Sequence, residues 1–127
     1  KKLDYIQEKI KGIWNCYMQE LLSLKKIVQL PEIPDFATNN AHMFYLVCKD
    51  ADQRDALIAH LKANDMHSVF HYISLHKSPF YLDKNEQTQL PFSDYYTNGL
   101  VRLPFFFELE IDQVKSISKT VLDFFNV

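Results

Sequence analysis

One short run of the sequence places two imidazoles, a phenol and a hydroxyl next to an apolar stretch. Residues 69–76 read Val-Phe-His-Tyr-Ile-Ser-Leu-His, so His71, Tyr72, Ser74 and His76 all follow or end a segment typical of a strand. Imidazole exchanges protons near neutral pH, and phenol and hydroxyl groups both donate and accept hydrogen bonds. We therefore expect this run to line a binding site.

The spacing of these residues argues against two kinds of catalytic centre. His71 and His76 are five residues apart, which points them to opposite faces of a strand and separates them by about 140° on a helix. Neither arrangement suits a pair of metal ligands. Cys16 and Cys48 fall in apolar patterns that bury a thiol, so we expect free, unreactive cysteines rather than a nucleophile or a disulfide.

Cationic and phenolic side chains near predicted strand ends suit the binding of an anion or a sugar. We expect such a site to draw on His42, His71, Tyr72, His76, Lys77 and Arg102. For His42 and Tyr72 the alternative stays open that they are hydrogen-bonded polar residues of the core.

Composition limits the partners. The 127 residues carry 14 Lys and Arg against 16 Asp and Glu, without a basic patch, which disfavours nucleic acid or an anionic membrane as partner. No apolar run approaches the roughly 18 residues of a membrane helix, and no secretory signal is recognisable. A cytoplasmic setting is the expectation.

Apolar periodicity predicts a leading helix over residues 1–24, a linker over 25–40 and an α+β core over 41–127. The continuously apolar run 42–48 predicts a central strand buried on both faces. Further elements are predicted as follows: a helix over 52–63 capped by Asp50 or Asp52, a strand over 67–73, a polar loop over 74–92, a short helix over 93–98 capped by Ser93, a strand over 100–104 and a helix over 112–125. The expected fold is a small two-layer α+β domain, with a sheet of about three strands covered by the first, second and last helices.

Aromatic residues are abundant and clustered. The sequence holds 10 Phe, 7 Tyr and 1 Trp, with runs at 95–96, 105–107 and 124–125. Some of these rings should reach the surface, where an apolar patch usually marks an interface. The chain opens Lys1-Lys2-Leu3 without a Met and enters a helical pattern at once, as a segment of a longer polypeptide does.

Four blocks of the sequence resemble, in order, one enzyme family. They are Asn-Asn-Ala-His-Met-Phe-Tyr-Leu at 39–46, Arg-Asp-Ala-Leu-Ile-Ala-His-Leu-Lys at 54–62, Val-Phe-His-Tyr-Ile-Ser-Leu-His-Lys-Ser-Pro at 69–79 and Leu-Val-Arg-Leu-Pro-Phe-Phe at 100–106. The blocks resemble the C-terminal domain of the DegT/DnrJ/EryC1/StrS sugar-nucleotide aminotransferases. Within the family, the likeness is greatest to enterobacterial dTDP-4-oxo-6-deoxy-D-glucose transaminases of lipopolysaccharide and common-antigen synthesis.

The resemblance implies a homodimeric pyridoxal-phosphate enzyme of fold type I that aminates a nucleotide-linked keto sugar. The family's cofactor lysine and the acidic partner of the pyridine nitrogen lie in a large N-terminal domain, so the parent enzyme is expected to bind pyridoxal phosphate and this chain alone to bind none. Carried onto this sequence, the resemblance places His71, Tyr72, His76 and His42 on the substrate side of the cleft, against the nucleotide-sugar.

Two departures from the family pattern bear on the substrate contacts. Ser74 stands where the family usually has proline, and the segment after Pro79 lacks the usual Ala-Gly. Two alternatives to a domain of one continuous enzyme remain. In the first, the chain is a stand-alone nucleotide-sugar-binding or regulatory module without catalysis. In the second, it is one half of a split enzyme.

Overall fold

The computed structural model describes residues 2–82, 84 and 88–127, which form a three-stranded sheet and its helices. The strands are β1 Tyr45–Val47, β2 Val69–Phe70 and β3 Leu100–Arg102. The α-helices are α1 Lys2–Glu20, α2 Ala51–Ala63, α3 Pro79–Leu82, α4 Pro91–Gly99 and α5 Ile111–Phe125, and two 3-10 turns span Leu22–Lys26 and Leu75–Lys77.

The sheet has the order β1-β3-β2, and β3 is antiparallel to both neighbours. The last strand in the chain therefore inserts between the two strands that α2 connects, which makes a split β-α-β unit. The prediction of a central strand over 42–48 is wrong in this respect, because β1 is an outer strand and β3 is central. Gln29 forms a bridge to Val47 on the other side of β1. The continuous apolarity of β1 reflects burial of both Leu46 and Val47 rather than a central place in the sheet.

The core lies between one face of the sheet and three helices. Leu46 and Val101 are paired across β1 and β3, and both are fully buried. In α1, Tyr17 stacks on Phe44 with ring centroids 5.0 Å apart, and its hydroxyl donates to the carbonyl oxygen of Pro104 at 2.8 Å. Helices α1, α2 and α5 supply the rest of the cluster, including Ile13, Trp14, Leu57, Leu61, Val114 and Val121. The predicted α+β fold, with the first, second and last helices over a three-stranded sheet, is confirmed.

Several boundaries differ from the sequence predictions. The strand predicted over 67–73 is reduced to Val69–Phe70, because the chain leaves the sheet at residue 71, where a loop begins. Helix α4 begins at Pro91 rather than at Ser93, since proline suits the first turn of a helix, where its missing N–H has no partner to lose. The predicted polar loop contains α3, and its positions 83 and 85–87 lie outside the described residues.

The starts of helices α2 and α5 are fixed by side-chain caps, and the cap of α2 is one that the sequence predicted. The Asp50 carboxylate accepts from the backbone N–H of Gln53 at 2.8 Å, so Asp50 rather than Asp52 caps α2. At α5, Glu110 and Gln113 form a reciprocal capping box. Both caps fix where a core helix starts.

The two glycines give a matched test of the packing around β3. A methyl group at position 99 would collide with the carbonyl oxygen of Cys48 and come within 3.0 Å of Val47 Cγ1, whereas at position 12 nothing lies within 4 Å. We expect Gly99→Ala to lower the free energy of unfolding by about 1–3 kcal/mol, because backbone must move. Gly12→Ala, in the middle of α1, should raise it by about 0.5–1 kcal/mol. Urea titration measures both, and equal effects would contradict a close contact between Gly99 and β1.

Candidate functional site

The chain between β2 and α3 forms a loop that packs against α4. Ser74 and the 3-10 turn Leu75–Lys77 redirect the backbone after Phe70. Together with α4, this segment encloses a small cavity of about 240 Å³, lined by His71, Tyr72, Ile73, Ser74, Ser93, Tyr96, Thr97 and Leu100. Two of the four predicted substrate-binding residues, His71 and Tyr72, therefore border one cavity.

Ser74 anchors the loop to α4. Its side chain is buried, and its hydroxyl lies 3.3 Å from the carbonyl oxygen of Ser93 and 3.0 Å from the Ser93 hydroxyl. It also makes a short hydrogen bond with the Thr97 hydroxyl. A buried hydroxyl needs such partners, so α4 fixes the position of the loop at this residue.

His76 and Lys77 share a carboxylate of α4. His76 Nε2 lies 3.1 Å from Asp94 Oδ1, and Lys77 Nζ lies 2.9 Å from Asp94 Oδ2. The contact to His76 lacks hydrogen-bond geometry, since both atoms are buried without a hydrogen-bond partner. The His76 side chain is only 9% exposed, so it faces α4 rather than open solvent. Sequence reasoning missed Asp94, because nothing in the pattern of α4 placed that carboxylate under the loop.

Unlike His76 and Lys77, the side chains of His71 and Tyr72 form no ion pair with α4. Their rings are 4.4 Å apart between centroids, and Tyr72 is 74% exposed. His71 Nδ1 is buried without a hydrogen-bond partner. Burial lowers the pKa of His71 below its ordinary value, and electrostatic interactions with Arg102 and His42 lower it further. This shift favours the neutral form of His71, in which one ring nitrogen accepts a hydrogen bond.

His42 and Arg102 lie on the sheet side of the loop. His42 is exposed, and its Nδ1 lies 3.0 Å from the side-chain oxygen of Asn40. Arg102 stands in one row of the sheet with Tyr45 and Val69, a row that is half-buried or exposed, next to the buried row of Leu46 and Val101. The charges of His42 and Arg102 both act on His71, whereas His76 is bound to α4. The residues predicted to form one cluster thus fall into two groups. His42, His71 and Arg102 lie near one another on the sheet side, whereas His76 and Lys77 lie against Asp94 of α4.

A larger cavity of about 640 Å³ lies elsewhere, between the end of β3, the turn after α2 and α5. Its lining includes Arg102 but none of the four residues predicted to bind substrate. This larger cavity is therefore separate from the smaller one, which belongs to the loop 71–78.

The described residues do not assemble a site for pyridoxal phosphate. The cofactor needs a lysine with a depressed pKa, held in a pocket beside an acid that can bind the ring nitrogen. Lys9 is bound to Glu110 at 2.9 Å and its pKa is raised, and Lys77 is bound to Asp94. The other described lysines are exposed. None of the described lysines therefore lies in a pocket of the kind that the cofactor needs.

Metal ligands and reactive thiols are the other groups on which a catalytic centre could be built. The described part of the chain contains no grouping of three or more His, Cys, Asp or Glu residues suited to a metal ion. Cys16 and Cys48 are free and buried, as predicted, and burial raises the pKa of both, to about 11 for Cys48. None of the helices in residues 2–82, 84 and 88–127 is long and apolar enough to cross a membrane.

Comparison with known proteins decides the family. Residues 1–122 match the DegT/DnrJ/EryC1/StrS aminotransferase family. The chain belongs to this family. A GDP-perosamine synthase of Vibrio cholerae is 29% identical over 131 residues, covering 99% of this chain and 34% of that protein. This relative is not a dTDP-4-oxo-6-deoxy-D-glucose transaminase, so the expectation of that particular activity stays a prediction.

Solved structures of aminotransferases share the fold. DesV of S. venezuelae, solved with a ketimine intermediate, superposes with a TM-score of 0.85 at 23% identity, over 94% of this chain and 32% of that one. The aminotransferase TlmJ of Streptoalloteichus hindustanus gives 0.83 at 21% identity, over 94% and 32% of the two chains. The chain thus spans about a third of the length of these relatives. Whether His42, His71, Tyr72 and His76 bind substrate stays a prediction.

The anchor at Asp94 predicts a local effect on the loop. We expect Asp94→Asn to raise amide hydrogen exchange at residues 75–78 by up to about fivefold, because partly exposed ion pairs contribute up to about 1 kcal/mol. Asp123→Asn, an exposed carboxylate of α5, is the matched control and should leave that segment unchanged. Unaltered exchange in Asp94→Asn would show that Ser74 alone holds the loop.

The pKa of His71 gives a second test. Replacing Arg102 with Gln should raise this pKa toward the ordinary value of about 6.5, while Lys62→Gln, at an exposed site on α2, should not. Because folding lowers the pKa of His71, the stability it contributes is fully present above the unfolded pKa and is lost as pH falls through the folded pKa. Ring-proton chemical shifts followed against pH measure the change, and a lower pKa in Arg102→Gln would contradict the assigned cause.

Proposed function

We propose that this chain is the C-terminal domain of a pyridoxal-phosphate-dependent aminotransferase that aminates a nucleotide-linked keto-deoxy sugar. The observation that carries the proposal is the family match over residues 1–122, combined with the chain's spanning only about a third of its relatives. A further domain then supplies the cofactor lysine, which agrees with the lack of a suitable lysine among the residues described here. The domain's own role is to form one wall of the substrate cleft.

The surface around the loop supports a covered position in the parent enzyme. Large apolar side chains are exposed on much of the segment from β2 to the start of α4: Phe70, Tyr72, Ile73, Leu75, Phe80, Leu82, Leu90 and Phe92. Such a concentration is typical of an interface. In the aromatic run 105–107, Phe107 packs on Tyr5 and Lys9, whereas Phe106 is exposed. We propose that the N-terminal domain and the homodimer mate cover these exposed side chains.

In this arrangement His71 and Tyr72 face the nucleotide-sugar, and His76 packs against Asp94 of α4, where it supports the loop. His42 lies at the sheet side, where the burial of the His71 ring, together with Arg102 and His42, lowers the pKa of His71. A neutral imidazole and a phenol bind the hydroxyl groups of a sugar without a fixed charge. The proposed substrate is a dTDP-linked 4-keto-6-deoxy sugar of bacterial surface-polysaccharide synthesis, in the cytoplasm.

A titration tests the substrate wall. A dTDP-linked 4-keto-6-deoxy sugar added to the chain should shift the ring signals of His71 and Tyr72 more than those of His60, which lies on α2 against Phe124. The GDP-linked counterpart, relevant because the Vibrio cholerae relative is a GDP-perosamine synthase, is the comparison ligand. A stronger response to the GDP sugar would reassign the nucleotide. Ring signals that stay fixed at saturating concentrations of both ligands would remove the substrate role.

Borohydride trapping tests where the cofactor lysine lies. Pyridoxal phosphate followed by borohydride should leave this chain without a stoichiometric lysine adduct, because no described lysine has the required pocket. The parent enzyme, read from the coding sequence upstream of Lys1, should give one adduct outside residues 1–127. A stoichiometric adduct on the isolated chain would refute the division of roles, and a coding sequence that starts at Lys1 would favour a split enzyme.

A further inference from the structure

The two arginines of the sequence have opposite surroundings. Arg54 Nε binds Asp55 at 2.8 Å, its guanidinium donates to the carbonyl oxygen of Thr97 at 2.8 Å, and it lies over the ring of Phe70. Arg102 is half-buried, yet no carboxylate of the described residues lies within 4 Å of it and no hydrogen bond of its guanidinium is formed there. One arginine is satisfied by the fold, and the other is not.

The guanidinium nitrogens of Arg102 are not among the buried side-chain atoms that lack a hydrogen-bond partner, so this charge is open to solvent and can receive an anion. The residues whose charges couple Arg102 to the loop are imidazoles, His71 and His42, which add no negative charge. The surroundings of Arg102 therefore favour an anion from outside the chain.

Arg102 borders the cavity of about 640 Å³. The walls of this cavity are mostly apolar: Met43, Met66, Val69, Leu103, Pro104, Phe105, Phe106, Leu109 and Ile117. Its polar lining includes His67 and one carboxylate, Asp65, which is exposed and forms no ion pair with the Arg102 guanidinium. A cation at the border of an apolar cavity of this size is the usual form of a site for an organic anion.

We propose that this cavity binds a small organic carboxylate, with the carboxylate on Arg102 and the apolar part of the ligand against Met43, Leu103 and Phe105. The planar guanidinium binds both oxygens of a carboxylate in a bidentate manner, which a spherical anion cannot match. This site shares no lining residue with the cavity of the loop 71–78. It therefore does not rest on the proposed substrate role of His71 and Tyr72.

The test uses 3-phenylpropionate as probe and 3-phenylpropanamide as its neutral counterpart. Added to the chain, the acid should shift the methyl signals of Met43 and Ile117, and the amide should bind at least about tenfold more weakly, because charge-assisted hydrogen bonds are the stronger ones. Arg102→Gln should abolish the preference for the acid, and Arg102→Lys should reduce it. Lys62→Gln, which removes an equal charge from an exposed site, should keep it.

Several outcomes would overturn the proposal. Equal binding of acid and amide, or an unchanged preference in Arg102→Gln, would mean that Arg102 does not recognise the anion. Competition by inorganic phosphate at equal concentration would mean that the apolar walls contribute nothing. Fixed methyl signals at saturating probe would mean that no site exists. A cooperative urea transition in each variant, near that of the unchanged chain, establishes that a loss of binding is not a loss of folding.

Discussion

The pairing of β3 with both other strands is the interaction on which this structure depends. β3 follows α4 directly and inserts between β1 and β2, so the only sheet of the described residues is completed by its last strand. The join is tight: Cys48 N–H donates to the carbonyl oxygen of Gly99 at 2.8 Å, at a point where a side chain larger than hydrogen collides with β1. Leu46 and Val101 then close the core against α1, α2 and α5. Because α4 is fixed to this junction, the loop bonded to α4 is fixed as well.

The candidate site is therefore held from two directions. The sheet places His71 beyond the end of β2, within the influence of the charges of Arg102 and His42. Helix α4 holds the other end of the same loop through Ser93, Thr97 and Asp94. A loop bonded only to water adapts to many ligands, whereas a loop held at both ends presents a preformed surface. This arrangement suits a wall of a cleft whose reacting groups belong to another domain.

Much of the fold was predictable because local signals agreed with the tertiary structure. Apolar periodicity located α1, α2 and α5, and Asp50 was one of two predicted caps. The order of the strands was not predictable, because an apolar run indicates that a strand is buried but does not indicate which strands pair with it. The candidate site was predictable only in part: residue types pointed to His71 and Tyr72, which border one cavity, but the carboxylate next to His76 comes from α4, 18 positions away along the chain. Such pairing depends on tertiary packing and leaves no local signal in a single sequence.

The segment between α1 and β1, expected to be a linker, connects other elements of the fold by hydrogen bonds. The backbone of Gln29 exchanges two 3.0 Å hydrogen bonds with Val47, while its side chain reaches the hydroxyls of Tyr96 at 3.3 Å and Tyr95 at 3.4 Å. One residue thus joins β1 to α4, the helix that holds the loop. The segment that follows the first helix therefore belongs to the same hydrogen-bonded network as the loop 71–78 and helps to set its position.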